Sequence, residues 1–172
     1  MRNVQGDEEM SVIRPASPAD ADAIARIYNH YISNTIVTFE ESPIACGEIA
    51  DRIGKVVSAS LPWIVLEQAG QVAGYAYASQ WHGRSAYRFS VESTVYLAPA
   101  ATGQGLGTTL YERLISILAD GHAHVVIGGI ALPNAASVAL HEKLGFEKVA
   151  HFKEVGFKCG QWIDVGYWQR PL

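Results

Sequence analysis

Apolar positions along the chain recur in two rhythms, one of three to four residues and one of two. Ile24, Ile27, Tyr28, Tyr31 and Ile32 keep the helical spacing and predict one buried helix face. That helix opens at Ser17-Pro18-Ala19-Asp20: Ser17 can cap it, Pro18 suits its first position, and Asp20 sits at its positive end. A second helix is predicted over 43–58, with Ile49, Ile53, Val56 and Val57 inward and Gly54 weakening it. The clearest helix runs over 103–119, where Leu106, Leu110, Leu114, Ile117 and Leu118 form a stripe that Asp120-Gly121 ends. A last helix over 135–144 stops at Gly145, a position suited to a left-handed cap.

Strand-like runs fill the intervals. They cover 12–15, 63–67, 72–80, 86–97, 124–130, 146–157 and 162–169, with turns at Ala69-Gly70 and Cys159-Gly160. Residues 35–39 read as a loop or a short extended piece, and Pro99 ends the 86–97 run. The 124–130 run is apolar throughout, as expected of a strand covered on both faces. The order β-α-α-β-β-β-α-β-α-β-β groups strands in the middle and then alternates. It predicts an α+β domain with a mixed sheet, not a doubly wound one.

Composition narrows the class. A chain of 172 residues predicts one domain, over 12–172, behind a polar tail over 1–11. The tail is acidic and lacks the apolar run of a signal peptide, and Met10 offers an alternative start. With 49% hydrophobic and 17% charged residues the chain is of ordinary globular type. Its longest apolar run, 125–132, falls far short of the ~20 residues of a membrane helix. The net charge is −4 and no Lys/Arg run exists, which counts against nucleic acid as a partner. Cys46 and Cys159 stand alone without CxxC spacing, pointing to structural thiols in a reducing, cytoplasmic setting. His122 and His124 have no nearby carboxylate or Cys partner, so no metal site is expected.

The most informative segment is Ala101-Thr102-Gly103-Gln104-Gly105-Leu106-Gly107-Thr108, between a strand and a strong helix. Without Cβ atoms, main-chain N–H groups can converge on an anion, and the helix N-terminus adds free donors. A phosphate or pyrophosphate is the expected ligand. A Walker A loop would need Lys before Thr108, and a dinucleotide fingerprint would need Gly in place of Thr108 and an earlier position in the chain. A plain glycine-rich turn is the alternative at this point.

Strand, loop, helix, strand, then Asn134-Ala135-Ala136-Ser137 opening a helix that ends His141-Glu142-Lys143-Leu144-Gly145-Phe146, resembles the GNAT acyltransferase superfamily. Its loop, Gln/Arg-x-x-Gly-x-Gly/Ala, is matched from Thr102 to Gly107 except at Thr102 itself. Within it, Trp81-His82-Gly83-Arg84-Ser85-Ala86-Tyr87 and Val91-Glu92-Ser93-Thr94-Val95-Tyr96 resemble the phosphinothricin N-acetyltransferases. So do Ile27-Tyr28-Asn29-His30-Tyr31-Ile32, Leu132-Pro133-Asn134, and the segments 156–158 and 162–168, which together span nearly the whole chain after residue 12. The family often has Lys or Arg directly after the tryptophan, where this chain has His82, and that makes phosphinothricin a less favoured acceptor.

The resemblance implies a three-layer α/β/α fold with a mostly antiparallel sheet. It also implies acetyl-CoA as co-substrate, direct transfer to an amine of a small amino-acid analogue, and a homodimer, to which Trp162, Tyr167 and Trp168 can contribute. For the coenzyme it implies the backbone of Val95, Tyr96 and Leu97, the loop and first turn Gly103, Gln104, Gly105, Leu106, Gly107 and Thr108, and Asn134, Ser137 and His141. Phe39, Arg84, Tyr87, Glu92 and Tyr96 are implied for the acceptor, with Arg84 as a bidentate anchor for its acid group. An attacking amine must lose a proton, and Glu92 is the candidate base. In a strand it shares a face with Arg88, Ser90, Thr94 and Tyr96, opposite Phe89, Val91, Val95 and Leu97, which should face the core. The alternative is a Glu92 without catalytic role, either solvated or in an ion pair for which Arg88 is a partner on the same face. His141, seven residues beyond Asn134 on the same helix face, is the candidate acid for the leaving thiolate, with a capping histidine as its alternative. Two other functions stay open: a different amine or protein N-terminus as acceptor, and a CoA-binding module without catalysis.

Overall fold

The computed structural model describes residues 11–172, so the expected tail lies outside the described residues except for Ser11. Seven strands form one sheet in the order β1-β2-β3-β4-β5-β7-β6. They are β1 (Val12–Pro15), β2 (Trp63–Gln68), β3 (Gln71–Gln80), β4 (Ser90–Leu97), β5 (Val125–Leu132), β6 (Glu147–Lys158) and β7 (Gln161–Pro171). Every neighbouring pair is antiparallel except β4 and β5, which run parallel. The mixed α+β reading is thus correct.

Four helices cover the sheet: α1 (Ala21–Asn34), α2 (Cys46–Ser58), α3 (Leu106–Ala119) and α4 (Ala135–Lys143). Ile24, Ile27, Ile49 and Ile53 from α1 and α2 pack with Trp63, Val65 and Tyr75 in one core. Leu110, Tyr111, Leu114 and Leu118 from α3 pack with Ile64, Leu66, Ala76, Val126 and Trp168 in the other. Ile64 and Val65 alternate between the two cores because successive strand residues point to opposite faces. The result is helix, sheet, helix. Among the described residues, no helix is long and apolar enough to cross a membrane.

Three element starts, those of α2, α3 and β4, shift by three residues or more from the sequence reading. Helix α2 begins at Cys46 instead of residue 43, because the Asn29 side chain bonds both the N–H (2.8 Å) and the C=O (2.9 Å) of Ile44 and holds that stretch extended. Its inward stripe ends with Val56, leaving Val57 55% exposed. Helix α3 begins at Leu106, since Gly103 (φ 76°) and Gly105 (φ 79°) are left-handed and cannot lie inside a helix. Strand β4 begins at Ser90 because residues 85–87 form a 3-10 turn. The alternation therefore does not reach Phe89, which is 43% exposed beneath the Arg88 guanidinium and not in the core.

Candidate active site

The parallel pairing of β4 and β5 is short: Ser90 with Val125, Val91 with Val126, Glu92 with Ile127, and no further. Beyond Glu92 the two strands part. The β5-facing backbone of residues 93–97 lines a cavity of about 400 Å³, which Gly129, Ile130 and Ala131 close from β5. Thr102, Gly107, Asn134, Ser137 and His141 complete the wall. A second cavity of about 240 Å³ is lined by Val37, Phe39, Ala131, Val155, Val165 and Tyr167. Glu92 and Gly129 border both cavities. A Cβ at residue 129 would stand 3.2 Å from both Glu92 Oε1 and Tyr167 Cε1, so the glycine leaves room where the cavities meet.

Burial pushes the Glu92 carboxyl above the ordinary glutamate value, and nearby His82 partly opposes this. Arg88 does not pair with it: its guanidinium donates to the Ser85 carbonyl (3.2 Å) and lies over Phe89 (4.3 Å). The salt-bridge alternative for Glu92 is therefore set aside.

His141 is 4% exposed and its imidazole lies against β5, where a Cβ on Gly128 would come within 2.3 Å of Nε2. Nδ1 donates to the Ser137 carbonyl (2.8 Å), which leaves Nε2 to accept from the Tyr111 hydroxyl (3.1 Å). The Tyr111 oxygen in turn accepts from Ser93 Oγ at 2.6 Å. Desolvation lowers the His141 pKa, so the ring is neutral near neutrality.

The glycine loop fits an anion. Among the described residues, the N–H groups of residues 103–107 take no internal acceptor, while Thr108 and Thr109 N–H groups bond the Gly105 carbonyl. Five free donors at a helix start, beside a cavity, suit a pyrophosphate. Thr102 turns its hydroxyl to the Pro99 carbonyl (2.8 Å) and Gln104 its amide to the Ala100 carbonyl (2.8 Å). Both side chains shape the loop; Thr102 also lines the cleft, and Gln104 does not. Asn134 Oδ1 accepts from the Ser137 N–H (3.1 Å) and caps α4.

Arg84 and Tyr87 lie exposed on the 81–89 segment and line none of the cavities described above. Tyr87 packs edge-on against His82 (5.0 Å). The structure also brings in residues the sequence did not assign to the site. Tyr31 donates to the Leu97 carbonyl (2.7 Å) and lines the larger cavity. Tyr111 hid within the apolar stripe of α3, and Lys143 Nζ lies 3.5 Å from Thr108 Oγ1 over the first turn of α3. The pair Gly128-Gly129 inside a strand was a readable signal of close approach.

A family model for the acetyltransferase (GNAT) domain matches residues 13–166. The chain belongs to this family. It is 42% identical over 161 residues to phosphinothricin N-acetyltransferase of Alcaligenes faecalis, covering 93% of this chain and 82% of that one. To the L-methionine sulfoximine/L-methionine sulfone acetyltransferase of Salmonella typhimurium it is 37% identical, covering 93% and 94%. Among solved structures, a GNAT superfamily phosphinothricin acetyltransferase from Sinorhizobium meliloti in complex with acetyl-CoA superposes with a TM-score of 0.90 at 39% identity, over 94% of this chain and 88% of that one. This GNAT chain is thus an acetyl-CoA-dependent N-acetyltransferase. That excludes a binding module without catalysis.

Proposed function

We propose that this enzyme acetylates the amino group of a small amino-acid analogue of the phosphinothricin or methionine sulfoximine/sulfone type. The observation that carries the reading is the place of Glu92, half-buried at the point where a long cleft meets a shorter pocket. The names of the relatives support the acceptor class.

Acetyl-CoA supplies the activated acetyl group. The free N–H groups of residues 103–107 hold its pyrophosphate, and the unpaired backbone of residues 93–97 pairs with its pantetheine amides as an added strand would. Glu92 takes the proton from the amine, directly or through one water, as the amine forms a C–N bond to the thioester carbonyl carbon. The C–S bond breaks, and the thiolate takes a proton. His141 stands on the cleft wall as its donor in the imidazolium form, giving up a proton taken from solvent at Nε2, because the neutral ring would become an imidazolate on losing the Nδ1–H bonded to Ser137. Val37, Phe39, Val155 and Tyr167 enclose the acceptor's side chain.

The decisive experiment measures thiol release from acetyl-CoA with a panel of amino acids, phosphinothricin, methionine sulfoximine and methionine sulfone among them. Turnover of one or more is expected; no turnover of any would refute the reading. The position of Arg84, outside both cavities, favours a second reading, a different small amine as acceptor. Full activity of Arg84→Ala on an uncharged amine would decide for that second reading. A homodimer and a cytoplasmic setting belong to the same reading. The first is supported by exposed Val149, Phe152, Phe157 and Trp162 along β6 and β7, the second by the free, exposed thiols of Cys46 and Cys159. Trp168 does not contribute to such an interface: it is 2% exposed in the core.

A further inference from the structure

Lys158 ends β6 and is 4% exposed, an unusual place for an ammonium, since lysines are almost never buried unless partnered. Its partners are carbonyls. Nζ donates to Ile32 O (2.8 Å) and Thr38 O (2.8 Å). Ile32 belongs to the last turn of α1, whose carbonyls lack helical donors and form the negative end of the helix dipole. One cation thus closes α1 and pins Thr38 at the same time. Thr38 is held from its other side as well, by the Tyr28 hydroxyl 2.7 Å from Thr38 Oγ1. The next residue, Phe39, lies on Gly156, where a Cβ would come within 2.3 Å of the ring Cζ. Two residues of β6 spaced two apart therefore grip consecutive residues of the segment that carries Val37 and Phe39.

We propose that Lys158 is a positioning residue for the acceptor pocket: through its two carbonyl bonds it fixes the 35–40 segment, and so places Val37 and Phe39 against the acceptor. The inference rests on the reading of the smaller cavity as the acceptor's. The long cleft depends on it less, because Val37 is its one lining residue from the 35–40 segment and its other walls come from Tyr31, β4, β5, the glycine loop, the first turn of α3 and α4. Loss of the ammonium should therefore loosen acceptor binding and spare the coenzyme.

The test uses Lys158→Met and Gly156→Ala in the full chain, with steady-state kinetics in both substrates and hydrogen exchange across residues 33–41. Met keeps the length and removes the charge. It should raise the acceptor KM by about tenfold or more, leave the acetyl-CoA KM within about twofold, and speed exchange in the segment. Gly156→Ala displaces Phe39 without touching the ammonium, and it serves where the Met variant does not fold. It should raise the acceptor KM in the same selective way. Equal rises in both KM values, or an unchanged acceptor KM in a folded variant, overturn the proposal. If the unaltered enzyme acetylates no amine of the panel, the proposed function fails, and exchange alone decides about the clamp. Unchanged protection in Lys158→Met then refutes it.

Discussion

Glu92 is half-buried in a setting that opposes its charge, and that makes it a better proton acceptor than a solvated glutamate. The acid limb of kcat/KM should therefore fall at a pH above the ordinary glutamate value and vanish in Glu92→Gln. The same substitution should lower kcat by roughly 10²–10⁴-fold, the usual worth of general base catalysis, with acetyl-CoA affinity retained. Equal losses in both would point to a structural role. Stability carries the opposite sign. A carboxyl whose pKa is raised by folding disfavours the folded state as pH climbs from its unfolded value towards its folded one. Melting curves should then show Glu92→Gln gaining on the parent between pH 4 and 8. His141 differs in kind. Its only proton is bonded to Ser137 O and its Nε2 is taken by Tyr111, so it yields a proton less readily than Glu92 accepts one. His141→Phe should cost less rate than Glu92→Gln, and Tyr111→Phe, which frees Nε2, should shift the basic limb of the profile. Overlapping basic limbs would sink that assignment.

At the scale of elements, the strand, glycine loop and helix were legible in the sequence because their chemistry is local. A strand-ending Pro99, glycines at 103 and 105, and a leucine stripe after them need no distant partner to be read. Glu92 was legible too, as the polar member of an alternating strand. What could not be read was whatever depends on neighbours far along the chain. The parting of β4 from β5 is a matter of which strand pairs where, and Phe39 meets Gly156 across more than a hundred positions. Lys158 reads as a solvated end of strand until α1 is placed beside it. Arg84 carried the opposite error: its motif suggested convergence on the acceptor, yet the 81–89 segment holds it in solvent. The loop also yields a prediction of its own. Thr102 spends its hydroxyl on Pro99 O, so the anion is met by main-chain donors and by Lys143 near Thr108. Thr102→Arg should lower the acetyl-CoA KM several-fold and Lys143→Ala should raise it, both effects shrinking in high salt. Salt-independent changes in KM would place the phosphates elsewhere.

For the whole molecule, one irregularity in the sheet organises everything else. Two helix-covered cores hold the strands rigid, and where β4 and β5 separate the sheet offers unpaired backbone to a ligand at its centre. The sheet's far edge is the other unfinished surface. Among the described residues β6 pairs only with β7, leaving its outer backbone groups open. Val149 (55%), Phe152 (49%), Phe157 (55%) and Trp162 (62%) stand exposed along it, with the Phe157 and Trp162 rings stacked edge to face at 5.0 Å. Phe157 and Trp162 share one face of the sheet and Phe152, opposite Val165, lies on the other, so exposed apolar groups flank this edge strip on both sides and support the proposed homodimer. A second copy fits, since a two-fold axis would set the same strip against itself. Val155, 56% exposed, stands at the same edge and also lines the smaller cavity, proposed above for the acceptor, so a covering chain would border that pocket. Light scattering should give twice the chain mass for the parent and a single chain mass for the double variant Phe157→Ser, Trp162→Ser. In the monomer, acetyl-CoA affinity should persist, because the cleft lies strands away, while the acceptor KM rises with the loss of the pocket's neighbour. A parent chain that scatters as a monomer would refute the assembly, and an unchanged acceptor KM in a proven monomer would refute its link to the pocket.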